Sequence, residues 1–102
     1  MKLETLLPLG KVDPGLREPG TPFDIHTVGE QAAQVESLGY DAVMFEETKH
    51  DPYLVMGLAA AATTTLGIGT AVAIAFPRSP AVTAMSAWSL QKLSRGRFTL
   101  GL

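Results

Sequence analysis

Residues 41–46 read DAVMFE, an almost continuous apolar run that ends in an acidic residue. A run without polar alternation is typical of a strand buried on both faces, as the strands of parallel sheets are. Asp51 and Pro52 follow, a capping residue and a proline suited to the first helical position. An alanine-rich segment then continues to Thr63. Residues 41–63 therefore predict a strand, a short polar loop and a helix, which is the repeating unit of α/β proteins.

The same unit occurs on both sides of this stretch. Proline and glycine punctuate residues 10–22, which predicts a long loop, and long loops in compact domains are often functional. Apolar spacing, turn residues and helix caps predict the remaining elements. These are strands at 2–7, at 66–75 and from Arg97 onward, and helices at 24–38 and from Pro80 to about Ser94.

The predicted order is β-α-β-α-β-α-β, with no long hairpin signal, so right-handed crossovers give a parallel sheet. Two architectures fit this order: a doubly wound open sheet, or the N-terminal part of a (β/α)₈ barrel. A complete barrel takes about 250 residues, and this chain has 102. We expect residues 1–102 to be a single partial barrel domain truncated at Leu102. A compact four-stranded α/β domain is the alternative.

The composition excludes several function classes. The net charge is −2, so the chain lacks the basic stripe of a nucleic-acid module. It has no cysteine and only two histidines, far apart in sequence, which argues against a metal site. The N-terminus does not resemble a signal peptide, and the most apolar stretch is too short to span a bilayer. A cytoplasmic protein without a membrane partner is the expectation.

Active sites of barrels lie on the loops that follow the strands. The loop after the second predicted strand carries Glu46, Glu47, Lys49 and His50. A histidine there could act as a general acid or base near neutral pH. The alternative is a solvated turn that leads into the next helix. Arg78, before the third helix, could bind an anion, although a salt bridge at the rim is the commoner explanation.

Five local patterns, in this order and spacing, resemble the luciferase-like monooxygenase superfamily. The most specific is LSRGRFTLGL at 93–102, a Ser-x-Gly-Arg-Phe turn that leads into a glycine-containing strand. The other four are LGYDAV at 38–43, DP at 51–52, LGIGTA at 66–71 and RSP at 78–80. The resemblance covers essentially this whole chain but only the N-terminal part of a family member.

The segments PLGKVDPG at 8–15 and EETKHD at 46–51 are similar to the branch that uses the deazaflavin coenzyme F420. The resemblance implies a (β/α)₈ barrel with F420, or alternatively FMN, at the carboxyl ends of the strands. It implies hydride transfer to or from a small organic substrate, and often a homodimer. Coenzyme phosphate contacts would come mostly from the C-terminal half, so we expect the 102 residues alone to be inactive.

The resemblance also suggests site residues. Family members commonly carry histidine at the position of Thr48, so His50, two residues later, is the candidate substitute, with Glu47 as a second catalytic candidate. Family members often have a non-proline cis peptide near the end of the third strand, and the matching bond here joins Ala71 to Val72. We assign coenzyme binding to Thr70, Ala71, Val72 and Lys49.

Two other function classes remain open. The chain could be a non-catalytic α/β module that acts in binding or assembly, or an inactive fragment. It could also belong to another barrel enzyme such as an aldolase, which needs a Schiff-base lysine at a strand end. Of the lysines, only Lys49 is placed for that role. Met85 and Trp88 on the third helix are expected in the core or at a subunit interface.

Overall fold

The computed structural model describes residues 1–7 and 23–102. The loop predicted at 10–22 and the segment at 8–15 lie outside these ranges. The described elements follow in the order β1 (Glu4–Leu6), a 3-10 turn (Ile25–Thr27), α1 (Val28–Ser37), β2 (Ala42–Phe45), α2 (Pro52–Ala62), β3 (Gly67–Thr70), α3 (Pro80–Leu93) and β4 (Phe98–Thr99).

The described strands form one parallel sheet in the order β1-β2-β3-β4, which confirms the predicted α/β alternation. Consecutive right-handed crossovers that all advance in one direction place their helices on the same face of a sheet. A doubly wound sheet needs a reversal of strand order, and the described strands do not show one. The topology is therefore that of a barrel wall.

The two faces of the sheet differ in burial. Val43, Phe45 and Ile68 point toward the helices and are fully buried among residues of α1 and α2. On the opposite face, Met44 lies between Leu6 of β1 and Gly69 of β3 in the strand register. Leu6 is exposed there, and this face corresponds to the interior of a closed barrel.

Helix starts follow the predicted capping chemistry. The Asp51 carboxylate accepts the Tyr53 amide at 2.8 Å with Pro52 in the first turn, and Ser79 Oγ accepts the Val82 amide at 3.2 Å. The helix predicted at 24–38 instead begins with the 3-10 turn. The reason is that the Thr27 amide bonds to the Asp24 carbonyl at 3.0 Å, an i to i+3 bond that tightens the first turn.

The strand predicted at 66–75 ends at Thr70. The Ala71 amide still donates to the Phe45 carbonyl, but beyond it the backbone leaves the β2–β3 ladder, and the amides of Ala73 and Ile74 find other acceptors. The Ala73 amide donates to the Gly101 carbonyl at 2.8 Å, and the Ile74 amide donates to a Glu47 carboxylate oxygen at 2.6 Å. This 71–74 segment lies at the edge where the strands end, which we call the carboxyl edge.

At the opposite, amino edge, where the strands begin, the Glu36 carboxylate closes the loop between α2 and β3. It accepts the amides of Thr64, Thr65 and Leu66 at 3.0, 2.8 and 2.8 Å. These bonds, led by that from Thr65, lower the pKa of Glu36 to about 2. One carboxylate thus accepts hydrogen bonds from three consecutive backbone amides before β3.

Arg97 closes the same edge from the β4 side. Its guanidinium donates to the carbonyl oxygens of Ala60, Thr63, Leu66 and Ser94 and to the Thr63 hydroxyl. Two of these carbonyls belong to the end of α2, where a cation also meets the negative end of the helix dipole. Arg97 therefore ties α2, the α2–β3 loop and the end of α3 together.

Among residues 1–7 and 23–102, no helix has the length and hydropathy needed to cross a bilayer.

Candidate functional site

The residues predicted for catalysis and coenzyme binding come from two loops at the carboxyl edge. Glu47, Lys49 and His50 follow β2, and Ala71 and Val72 follow β3. The two loops are bonded to each other, since the Glu47 amide meets the Val72 carbonyl at 3.4 Å and the Ala71 amide donates to Phe45 at 2.9 Å. The structure thus brings the two predicted groups to one place.

Glu47 is held by a bidentate ion pair with Arg78. Arg78 Nη2 donates to Oε1 at 2.8 Å, and Nη1 donates to Oε2 at 2.9 Å. Glu47 and Arg78 are only 14% and 15% exposed. The Arg78 hydrogen bond lowers the pKa of Glu47 and raises that of Arg78. A carboxylate held ionised in this way is a poor proton donor. The catalytic role of Glu47 stays a prediction.

Arg78 has further contacts that keep the guanidinium in place. Its carbon lies 5.0 Å from the centre of the Tyr53 ring, and Nη2 lies 3.9 Å from Asp51. Nη1 also donates to the Ile74 carbonyl at 2.9 Å. The salt bridge expected for Arg78 at the rim is confirmed, and its partner is Glu47.

The 71–74 segment presents apolar side chains to solvent. Val72 is 52% exposed and Ile74 46% exposed, whereas Ala73 between them is buried. The bond between Ala71 and Val72 is cis, as the resemblance implied.

Thr70, the last residue of β3 and a predicted coenzyme-binding residue, directs its hydroxyl to Gly101. The hydroxyl donates to the Gly101 carbonyl at 2.8 Å and accepts the Gly101 amide at 2.9 Å. It is buried and thus fastens the strand ends rather than facing solvent. A Cβ at position 101 would collide with the Thr70 carbonyl, so this close approach needs glycine. Sequence reasoning missed Gly101, for which the glycine within the final apolar run was the available signal.

His50 lies half-buried in an aromatic cluster. The imidazole is 5.1 Å from the Phe23 ring, and Phe23 is 5.7 Å from Phe45, measured between ring centres. Lys49, next to it in sequence, is exposed. Sequence reasoning did not find Phe23, because its contact with His50 depends on the fold. The described part of the chain contains no cluster of three or more His, Asp or Glu placed to hold a metal.

This edge therefore combines an imidazole, an exposed ammonium group and an apolar segment on a fixed backbone. An apolar segment of this kind suits the face of a flat ring. The imidazole can exchange a proton with a group bound nearby.

Known proteins that are similar to this chain show which family it belongs to. The model of the luciferase-like monooxygenase family matches residues 1–102. Proteins described only as uncharacterized, from Mycobacterium bovis and Mycobacterium tuberculosis, are 40% identical over 81 residues. That match takes in 79% of this chain and 24% of theirs, so the chain spans about a quarter of their length.

A solved structure is similar to nearly the whole chain. It is the oxygenating constituent of 3,6-diketocamphane monooxygenase from Pseudomonas putida, a type II Baeyer–Villiger monooxygenase in complex with FMN. The TM-score is 0.76 at 19% identity, and the similarity covers 98% of this chain and 28% of that one. At this identity the likeness establishes the fold alone, a parallel α/β wall. The family match over residues 1–102 shows that the chain belongs to the luciferase-like monooxygenase family.

Proposed function

We propose that residues 1–102 form the first part of a (β/α)₈ barrel enzyme, an oxidoreductase that uses F420, with FMN as the alternative coenzyme. The observation that carries this proposal is the 71–74 segment, whose exposed Val72 and Ile74 lie on a backbone fixed by Glu47 and Arg78. Active sites of barrels form at this edge of the sheet. The substrate class we propose is a small organic molecule.

The described residues fit a flat tricyclic ring. Ala71 is small, which leaves room for a ring to approach the backbone, and Val72 offers an exposed apolar surface. A flavin or deazaflavin bound here supplies the hydride-accepting or hydride-donating atom. Thr70 contributes indirectly, because its paired hydrogen bonds to Gly101 fix where β3 ends.

His50 is the proposed acid–base residue of this site. Packing against Phe23 limits the positions of its ring, and limited motion is what proton transfer to a bound substrate requires. Exposed Lys49 provides a cation at the rim, where it can attract the phosphate or carboxylates of the coenzyme.

Binding by the full-length protein tests the proposal. F420 and FMN are titrated separately, and their fluorescence is followed to obtain dissociation constants. We expect F420 to bind at a micromolar or lower constant and FMN to bind at least tenfold more weakly. The reverse order would replace F420 by FMN and leave the oxidoreductase intact. Failure of both to bind would contradict the enzyme and favour a non-catalytic module.

We also propose a homodimer. Met85 and Trp88 are 66% and 67% exposed on α3, so they do not belong to the described core, and Leu54 and Leu58 are exposed on the neighbouring α2. Large apolar side chains exposed on adjacent helices are typical of a surface that a partner covers. Sedimentation of the full-length protein measures the assembly state. The cytoplasmic location stays a prediction from the sequence.

A further inference from the structure

We propose that Arg78 is a positioning residue that keeps the 71–74 segment in the conformation that receives the coenzyme ring. The inference rests on the proposed function. It assigns Arg78 a role in shaping the ring site and excludes the anion-binding role that the sequence left open.

Arg78 and Glu47 together hold both backbone polar groups of Ile74. The Ile74 amide donates to Glu47 Oε2 at 2.6 Å, and the Ile74 carbonyl accepts from Arg78 Nη1 at 2.9 Å. Because the same Nη1 also donates to Glu47 Oε2, the three groups form one closed network. The planar guanidinium makes this network possible, since an ammonium group cannot match two carboxylate oxygens with a rigid fork.

The network anchors one end of the segment, and Gly101, two residues beyond β4, anchors its middle. The Ala73 amide is bonded to the Gly101 carbonyl at 2.8 Å, independently of Arg78. Loss of Arg78 should therefore loosen Ile74 and the exposed side chains beside it without unfolding the sheet. The effect should be local to the ring site.

Arg78 is also poorly placed to bind a ligand phosphate. Its Nη atoms are engaged with Glu47 and the Ile74 carbonyl, Tyr53 covers one face of the guanidinium, and the side chain is 15% exposed. An anion would have to displace Glu47, which carries the same sign of charge.

The test compares ligands with and without phosphate on Arg78→Gln and Arg78→Lys variants of the full-length protein. The pairs are FMN with riboflavin, and F420 with its phosphate-free deazariboflavin fragment. Hydrogen exchange of the peptide spanning 71–78 is measured on the ligand-free proteins. Arg95→Gln is the matched control, because Arg95 is exposed near the amino edge.

We expect Arg78→Gln to lower the affinity for both ligands of a pair by the same factor, at least tenfold. It should also raise the rate of amide hydrogen exchange at 71–78 at least tenfold. Arg78→Lys should lose at least fivefold in affinity, and the control should change less than twofold. A loss confined to the phosphate-bearing ligand would assign Arg78 to the phosphate and overturn the proposal. Unchanged affinity, unchanged exchange or full rescue by lysine would also overturn it.

If Arg78→Gln does not fold, the same affinities and exchange rates are measured on Arg78→Lys. If the unsubstituted protein binds none of the four ligands, the proposed function fails. The exchange rates then still report whether Arg78 holds the segment, so the two failures are distinguishable.

Discussion

At both edges of the sheet, charged side chains form hydrogen bonds to the backbone of the adjoining loops, but the two edges differ in what they expose. At the amino edge, Glu36 and Arg97 direct their charged groups to backbone amides and carbonyls of the adjoining loops. At the carboxyl edge, Glu47 and Arg78 likewise bond to the backbone, at Ile74. The carboxyl edge differs in the side chains that stay accessible beside this backbone, which are Val72, Ile74 and the half-buried His50.

The two edges therefore contribute to different properties of the molecule, stability at one and the proposed function at the other. Charged side chains that satisfy loop backbones stabilise both edges, because unpaired buried backbone groups are costly. At the carboxyl edge the same device also fixes the backbone beside exposed Val72 and Ile74, the surface that we propose receives the coenzyme ring. Substitutions at the amino edge should therefore lower stability, whereas those at the carboxyl edge should lower binding or turnover.

The largest effect is expected at His50. Replacing His50 with Gln removes the proposed acid–base group and should lower turnover by about 10²–10⁴-fold. Coenzyme affinity should change little, because Val72 and Lys49 are retained. The measurement is hydride transfer by the full-length protein, followed as F420 reduction with small alcohols and as oxidation of reduced F420 with small aldehydes. Turnover within twofold of the unsubstituted protein would remove His50 from the mechanism.

The next effect is expected at Arg97. Arg97→Met retains much of the side-chain volume but removes the donors to several carbonyl groups. We expect the free energy of unfolding to fall by about 3 kcal/mol, the worth of one or two hydrogen bonds to a charged group. Urea unfolding measures it, with Arg95→Met as the exposed control. Equal effects of the two substitutions would contradict the closing role of Arg97.

Replacing Glu36 should lower the free energy of unfolding by a smaller amount, which depends on pH. Glu36→Gln should lower the free energy of unfolding by about 1–2 kcal/mol at pH 7. The folded pKa of Glu36 is lowered from 4.5 to about 2, so its stabilisation is full above pH 4.5 and is lost as the pH falls toward 2. Urea unfolding of both proteins across this range measures the difference. A difference that stays constant down to pH 2 would exclude ionisation as the cause.

The smallest effect on stability is expected at Val72. Because Val72 is largely exposed, Val72→Ser should change the free energy of unfolding by less than about 0.5 kcal/mol. Coenzyme affinity should nevertheless fall several-fold, since the ring would lose apolar contact. Parallel urea unfolding and coenzyme titration separate the two quantities. Equal affinity would mean that the ring does not lie on this residue.

Local signals in the sequence predicted the frame of the molecule well. The caps at Asp51 and Ser79 act within three residues of themselves, so they could be predicted without the fold. The end of β3 could not, because the apolar run to Ala75 looks uniform while the Ile74 amide finds Glu47, 27 residues away. The backbone beyond β3 is therefore held by a side chain that is distant in sequence.

The sequence predicted that the candidate residues lie at the carboxyl edge, but it did not predict which side chains they contact. Strand ends and the resemblance pointed to Glu47, His50 and Val72. The pairing of Glu47 with Arg78 joins residues 31 apart, and the packing of Phe23 on His50 depends on how two loops meet. Such pairings are set by the strand register, which pattern reading does not determine.

The most direct test of the central claim is a crystal structure of the full-length protein with F420 or FMN bound. The account predicts that the tricyclic ring lies against the 71–74 segment, in van der Waals contact with Val72, with His50 at the same edge and the Glu47–Arg78 pair intact. A ring bound at the amino edge, or one that breaks the pair to reach Arg78, would contradict it.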